Sequence, residues 1–318
     1  MSEQIAVQDA EDRIRPSINR TPVLTSSYLN ELTGKKLYFK CENFQKTGSF
    51  KARGALNAIL KARSIGPVKG VVAHSGGNHG QGVAWAARQC DLPCIVATPS
   101  SAPQTKVDAM RGYGAELVIT TPSMTDMADT AYRLVEQTGY TFVDPMNDYD
   151  IMSGQGTVAK EFLEEVGHLD ALVVAVGGGG LASGVAAYVK QKKLDCKVFC
   201  VEPANKNLQE SFEAGRSLMP HGTLLDTIAD GCRPHAVGNK CFDVLLECAE
   251  HTVFSVTNDD IRKAMKLILE RMKLVVEPSA AMGLAAVLKY KEELKDYENI
   301  GLVLCGGNVD LKTVVDLL

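Results

Sequence analysis

Short runs rich in β-branched and aromatic residues recur along this chain, each followed by a longer stretch whose apolar positions return every three or four residues. The runs predict strands over Lys36–Lys40, Gly70–His74, Cys94–Thr98, Glu116–Thr120, Tyr140–Asp144, Ala171–Val176, Lys197–Glu202, Thr252–Val256 and Gly301–Cys305. The longer stretches predict helices over Gln8–Pro16, Arg53–Ala62, Asn78–Cys90, Gln104–Tyr113, Thr125–Thr138, Gly156–Val166, Leu181–Lys192, Asp259–Met272 and Ala280–Lys295. Strands alternating with helices of this length imply an α/β protein whose mostly parallel sheets are covered on both faces. Ala171–Val176 is apolar at every position, as a central parallel strand requires.

Nothing repeats at a solenoid period and no low-complexity linker divides the 318 residues, a length that suits about two domains. A second domain is therefore expected as an insertion with adjacent ends. The strand–helix alternations between Gly70 and Asp144 suit that unit. The expected division is a large domain of residues 1–69 and 148–318 and a small mobile one of residues 70–147.

Composition narrows the setting. Hydrophobic residues make up 45% and charged residues 23%, and the net charge of −4 is interspersed in sign, which excludes an electrostatic case for nucleic-acid or membrane partners. No apolar run reaches bilayer length, and Met1 to Arg20 has no signal-peptide core. The nine cysteines include an odd one and no CxxC pair, so they read as free thiols in a reducing, cytoplasmic compartment.

Chemistry concentrates at three glycine-rich turns. Ser75-Gly76-Gly77-Asn78-His79-Gly80 follows one predicted strand, Gly177-Gly178-Gly179-Gly180 follows Ala171–Val176, and Cys305-Gly306-Gly307-Asn308 follows the last strand. Ligands of parallel α/β folds bind at the carboxyl ends of strands, where these turns lie. Four successive glycines before a helix let backbone N–H groups converge on one anion. The turn lacks both the Lys-Ser/Thr pair of a Walker loop and the GxGxxG spacing, so a single phosphate monoester suits it better than a pyrophosphate. By itself it reads equally well as a tight turn for helix–sheet packing.

Ser49-Phe50-Lys51-Ala52-Arg53-Gly54-Ala55 tips that balance. Lys51 opens a helix of small and apolar residues after a Thr47-Gly48-Ser49 turn. Apolar surroundings at a helix N-terminus favour the neutral amine that Schiff-base chemistry needs, whereas a lone lysine elsewhere is usually a solvated charge.

These residues resemble the fold-type II pyridoxal-phosphate enzymes, the tryptophan synthase β-like fold, and among them the serine racemase and serine/threonine dehydratase group, most of all its eukaryotic racemases. The match includes Arg20-Thr21-Pro22, Glu42-Asn43-Phe44-Gln45-Lys46-Thr47-Gly48-Ser49-Phe50-Lys51, Ser75–Gly80, Gly154-Gln155-Gly156-Thr157, Gly177–Gly180, Thr227-Ile228-Ala229-Asp230-Gly231, Glu277-Pro278 and Gly306-Gly307-Asn308-Val309-Asp310, in one order along the chain. The resemblance implies two twisted, mostly parallel sheets, a homodimer, and action on L-serine or similar hydroxy-amino acids. D-serine would arise by racemisation, and pyruvate plus ammonia by β-elimination. Threonine and 3-hydroxyaspartate are the alternative substrates. A different class, a non-catalytic amino-acid or nucleotide sensor on the same scaffold, has no use for Lys51.

By the same resemblance Lys51 holds the cofactor and moves the Cα proton, Phe50 packs on the pyridine ring, Asn78 bonds the ring hydroxyl, and Gly177, Gly178, Gly179 and Gly180 hold the phosphate. Glu277 lies near the ring, and Cys305 faces the pyridine nitrogen as a neutral partner. Ser75, Gly76, Gly77, Asn78 and His79 receive the substrate carboxylate.

Departures from the pattern bear on the reaction. Racemases of the group carry a serine where Gly76 stands, and it serves as the acid/base opposite the lysine; Gly76 has no hydroxyl and tilts the expectation towards elimination. Met127, Pro234 and Met146-Asn147-Asp148 also differ from the racemase pattern. The group's Mg²⁺ or Ca²⁺ site uses a Glu, a carbonyl and an Asp; Glu202 matches the first, and Asn207 or Leu208 stands near the place of the Asp. An activating ATP site of the animal racemases finds counterparts in Ser26, Ser27, Lys46, Thr47, Gln81, Tyr113, Lys273 and Asn308.

Overall fold

The structure, a computed structural model, describes residues 1–318. Ten strands form in chain order: β1 Val23–Leu24, β2 Lys36–Cys41, β3 Val71–His74, β4 Cys94–Pro99, β5 Glu116–Thr120, β6 Thr141–Phe142, β7 Ala171–Ala175, β8 Lys197–Pro203, β9 Val253–Val256 and β10 Asn299–Leu304. They make a six-stranded sheet of order β1-β2-β10-β7-β8-β9 and a four-stranded sheet of order β5-β4-β3-β6. Every pairing is parallel except β1 with β2. Central β10 sets Leu302 between Phe39 of β2 and Val173 of β7. All three are buried, which is the reason the strand reads as a continuous apolar run. One large apolar cluster surrounds the six-stranded sheet, and two smaller ones surround the other.

The main departures from periodicity have local causes. The predicted helix from Gly156 starts at Tyr149 instead, because Asp148 caps it by accepting from the Asp150 and Ile151 N–H groups at 2.6 and 3.1 Å. Its glycines are contact points rather than breaks. A Cβ at Gly154 would lie 2.6 Å from Gly54 Cα, and one at Gly156 would lie 2.8 Å from the Gly184 carbonyl. Helix Tyr149–Val166 thereby packs closely on Lys51–Ile65 and Gly180–Gln191, the two helices whose N-termini carry the lysine and the glycine turn. Short helices Ser27–Thr33, Leu208–Glu213, Asn239–Cys248 and Leu311–Leu317 and the two-residue β1 are additional to the sequence expectation.

A buried ion network anchors the lysine-bearing helix. Arg53, fully buried, donates to both Glu42 carboxylate oxygens and to both Glu161 oxygens at 2.8 Å, and Lys40 joins Glu161 at 3.0 Å. Bidentate pairing of this kind fixes direction as well as charge. It is placed one half-turn along the helix from Lys51.

Candidate active site

A cavity of about 300 Å³ is lined by Phe50, Lys51, Ser75, Gly76, Gly77, Asn78, His79, Gly177, Gly178, Gly179, Gly180, Glu277 and Cys305, together with others. Its wall draws on residues that follow β3, β4, β7 and β10, so it opens at carboxyl ends of strands in both sheets.

Lys51 is the first residue of helix Lys51–Ile65. Its Nζ donates to the Pro145 carbonyl at 2.6 Å and sits 5.3 Å from the centre of the Phe50 ring. Burial pushes the amine down to about 8, against the opposing pull of Asp144. The helix N-terminus adds a positive potential that works in the same direction.

Gly177 to Gly180 join β7 to helix Gly180–Gln191. None of the N–H groups of Gly177, Gly178 and Gly179 is bonded to a backbone carbonyl. A Cβ on Gly177 would meet the Gly231 carbonyl at 2.3 Å, and one on Gly178 would meet Met146 Sδ at 2.0 Å. Gly179, at φ +97°, has a conformation that side chains rarely adopt.

Asn78 opens helix Asn78–Gln89 and ties two walls together. Its Nδ2 donates to Glu277 Oε1 and Oε2 at 2.7 and 3.0 Å, while its Oδ1 accepts from Asn308 Nδ2 at 2.9 Å. Glu277 is buried, and burial first, with Asp230 in addition, raises its pKa against the pull of Lys106. Cys305 Sγ lies 4.0 Å from Glu277 Oε1, and burial holds it as the neutral thiol. His79 gives Nε2 to the Val143 carbonyl at 2.9 Å, and burial keeps its ring neutral.

Sequence reasoning missed Lys106 and His74 on the wall. Lys106 is buried, with Nζ bonded to Asp230 Oδ2 and 3.6 Å from Glu277 Oε2. Burial works against its charge, but Glu277 and Asp230 outweigh it and raise the pKa. His74, stacked on Phe142 and kept neutral by burial, lines the cavity too. The only advance signal was Asp230, inside the quoted Thr227–Gly231 motif; Lys106 stands in an unremarkable helical stretch.

Met127, Met146 and Pro234 line this cavity, whereas the expected ATP and metal residues lie outside it. Of the eight ATP counterparts, a hydrogen bond links only Thr47 and Asn308, whose Nδ2 donates to the Thr47 carbonyl at 2.7 Å. Ser26 caps helix Ser27–Thr33, Lys46 and Lys273 are exposed, Gln81 is buried, and Tyr113 borders a separate shallow depression. Glu202 is buried on β8 with Oε2 accepting from the Leu208 N–H at 2.8 Å. Leu208 is itself buried in the core, and no three His, Cys, Asp or Glu side chains come together to hold a metal. The residues at Glu202 do not fit a divalent cation.

Residues 14–306 match the family model described as "Pyridoxal-phosphate dependent enzyme". The chain belongs to that family. Among relatives in this family, L-threo-3-hydroxyaspartate ammonia-lyase of Saccharomyces cerevisiae is 42% identical, over 98% of this chain and 95% of its own length. Serine racemase of Homo sapiens is 43% identical, over 97% and 92%. A solved pyridoxal 5'-phosphate-dependent aspartate racemase superposes with a TM-score of 0.94 at 44% identity, covering 97% of this chain and 96% of that one. Family membership makes the chain an enzyme of the fold-type II class and agrees with the two mostly parallel sheets.

Proposed function

We propose that this enzyme acts on L-serine and similar hydroxy-amino acids, and that β-elimination to the 2-oxo acid and ammonia outruns racemisation. The observation that carries the reading is the state of Lys51. Its amine has only a carbonyl for a partner, whereas Lys106, the other lysine at the cavity, is locked beside two carboxylates.

The cavity suits pyridoxal phosphate on two counts: an amine that burial lowers to about 8, more readily neutral for the aldehyde than a solvated lysine, and unpaired N–H groups at a helix N-terminus for the phosphate. Bound there, the cofactor supplies the electron sink for charge developing at Cα. Lys51 removes the Cα proton on its own face. The Ser75–His79 turn receives the substrate carboxylate. Cys305, a neutral thiol, and Glu277, a carboxyl raised by burial, offer no strong anion to a ring nitrogen, so a cofactor held there would be a weaker electron sink, which would favour elimination of the β-hydroxyl over racemisation. Gly76 provides no hydroxyl on the opposite face.

Residues 70–147 form the smaller domain of this reading, closing on residues 1–69 and 148–318 to exclude water. Pairing of Lys106 with Asp230 and Glu277 across the cleft supports the closed arrangement. A cytoplasmic homodimer completes it; all nine cysteines are free. The ATP counterparts are proposed only as far as the Thr47–Asn308 bond ties them to Asn78.

3-Hydroxyaspartate is a second substrate of this reading, since Arg233 on the cavity wall is a guanidinium suited to a further carboxylate. The test is incubation with L-serine, L-threonine and L-threo-3-hydroxyaspartate, measuring 2-oxo acid and D-amino acid in parallel. More pyruvate than D-serine is expected from L-serine. Protein without a cofactor absorption band, and without turnover of any of the three, would return the scaffold to the sensor class.

A further inference from the structure

Five cationic side chains are buried in this protein: Lys40, Arg53, Lys106, Lys160 and Lys206. The first four pair with carboxylates. Lys206 pairs with none and instead donates its Nζ to two backbone carbonyls, those of Pro234 and, at 3.0 Å, His235. Carbonyls are acceptors only, so the site demands a cation or donor and is costly to leave empty.

The loop is shaped to deliver that side chain. Lys206 lies between Asn205 at φ +70° and Asn207 at φ +65°, left-handed conformations that are rare for residues with a Cβ. Glu202, four residues earlier and buried, is close enough to interact electrostatically with the ammonium. One of its oxygens is already taken by the Leu208 N–H.

We propose that Lys206 is a tethered cation standing in for the divalent ion that the family resemblance places beside Glu202, so that this enzyme neither binds nor needs Mg²⁺ or Ca²⁺ there. A hard divalent cation takes about six oxygen ligands, and beside Glu202 it would meet a like charge and the apolar Leu208. What the ammonium holds together also has a consequence for catalysis. It ties the loop after β8 to Pro234 and His235, and Pro234 ends the Asp230–Pro234 segment of the cavity wall. A cation carried on a covalent stem keeps that wall in place whatever the metal concentration.

The test begins with the native holoenzyme, dialysed against a chelator and then supplied with Mg²⁺ or Ca²⁺. Thermal midpoint and turnover should stay constant, with shifts under about 1 °C, because a ligand that does not bind cannot stabilise. A rise in midpoint with either ion, or turnover lost to the chelator and restored by the metal, overturns the proposal. Lys206→Met keeps the stem and removes the charge. It should lower the midpoint by on the order of 5 °C and turnover by about tenfold, since two partly buried carbonyls lose their donor. A methionine variant as stable and as active as the native enzyme also overturns it, because packing of the stem would then account for Lys206 entirely.

Discussion

Lys106 and Glu277 approach to 3.6 Å across the cavity, although Lys106 stands between β4 and β5 of the four-stranded sheet and Glu277 precedes a helix packed on the six-stranded one. Lys106 also bonds Asp230, so one ammonium neutralises two carboxylates that would otherwise repel each other at the cavity wall. Lys106→Met should raise the pKa of Glu277 further and loosen contact between the sheets. The expected result is a fall in kcat/KM of about tenfold or more, with a lowered thermal midpoint, because breaking a buried pair leaves charge uncompensated. Lys106→Arg should recover part of the loss. Native kinetics in the methionine variant would make the contact incidental.

Lys51 is the residue on which the proposed chemistry turns. Borohydride treatment of the holoenzyme should fix the cofactor on Lys51 and abolish its imine absorption. Lys51→Ala should lose turnover by roughly three orders of magnitude or more, since covalent anchor and base are removed together.

A pH dependence follows from the same amine. Its pKa is lowered to about 8, and the neutral form is the nucleophile, so the rate at which apoenzyme takes up pyridoxal phosphate should rise with pH and level off above about 8. An ordinary solvated lysine, with its usual value of 10.5, would still be gaining rate near pH 10. Rates that climb steadily through pH 9 to 10 would contradict the buried setting.

Gly178 tests the phosphate cradle. Gly178→Asp puts a Cβ 2.0 Å from Met146 Sδ and a carboxylate among N–H groups arranged for an anion. Cofactor affinity should fall by about a hundredfold, a loss of about 2.8 kcal/mol. Gly178→Ala combined with Met146→Ala removes the Sδ and Cε clashes, leaving Met146 Cβ at 3.0 Å, without adding charge, and should bind markedly better than the aspartate. Equal, native affinity in all three proteins would leave the turn a purely structural feature.

Gly76 tests the proposed product ratio. A Cβ there would face Pro99 at 3.1 Å and Ala102 at 3.8 Å, and the glycine does not need a left-handed backbone, so the Cβ of a serine requires only a few tenths of an ångström of adjustment. Gly76→Ser should raise the D-serine share of products from L-serine and the incorporation of solvent deuterium at Cα, by restoring a hydroxyl on that side. Efficient racemisation by the native enzyme, unaltered by the serine, would assign the second proton to another group.

The alternating pattern carried the α/β class because a parallel strand buried on both faces and an amphipathic helix have different periods, and both are local properties of the chain. Phe39, Val173 and Leu302 could be placed in strands before any partner was known. The glycine turns and Lys51 were legible for the same reason: each sits at a strand end or helix start that neighbouring residues define. Short elements were not. The helices Ser27–Thr33 and Leu208–Glu213 are too brief to show a period, and the Gly154 and Gly156 positions look like breaks until Gly54 and Gly184 pack against them. Lys106 with Asp230, 124 residues apart, and Lys206 with the Pro234 and His235 carbonyls, 28 and 29 residues away, were settled only by tertiary structure. Local sequence sets the period and the turn, but the partner of a buried charge is chosen by whichever distant segment the fold brings within hydrogen-bond reach.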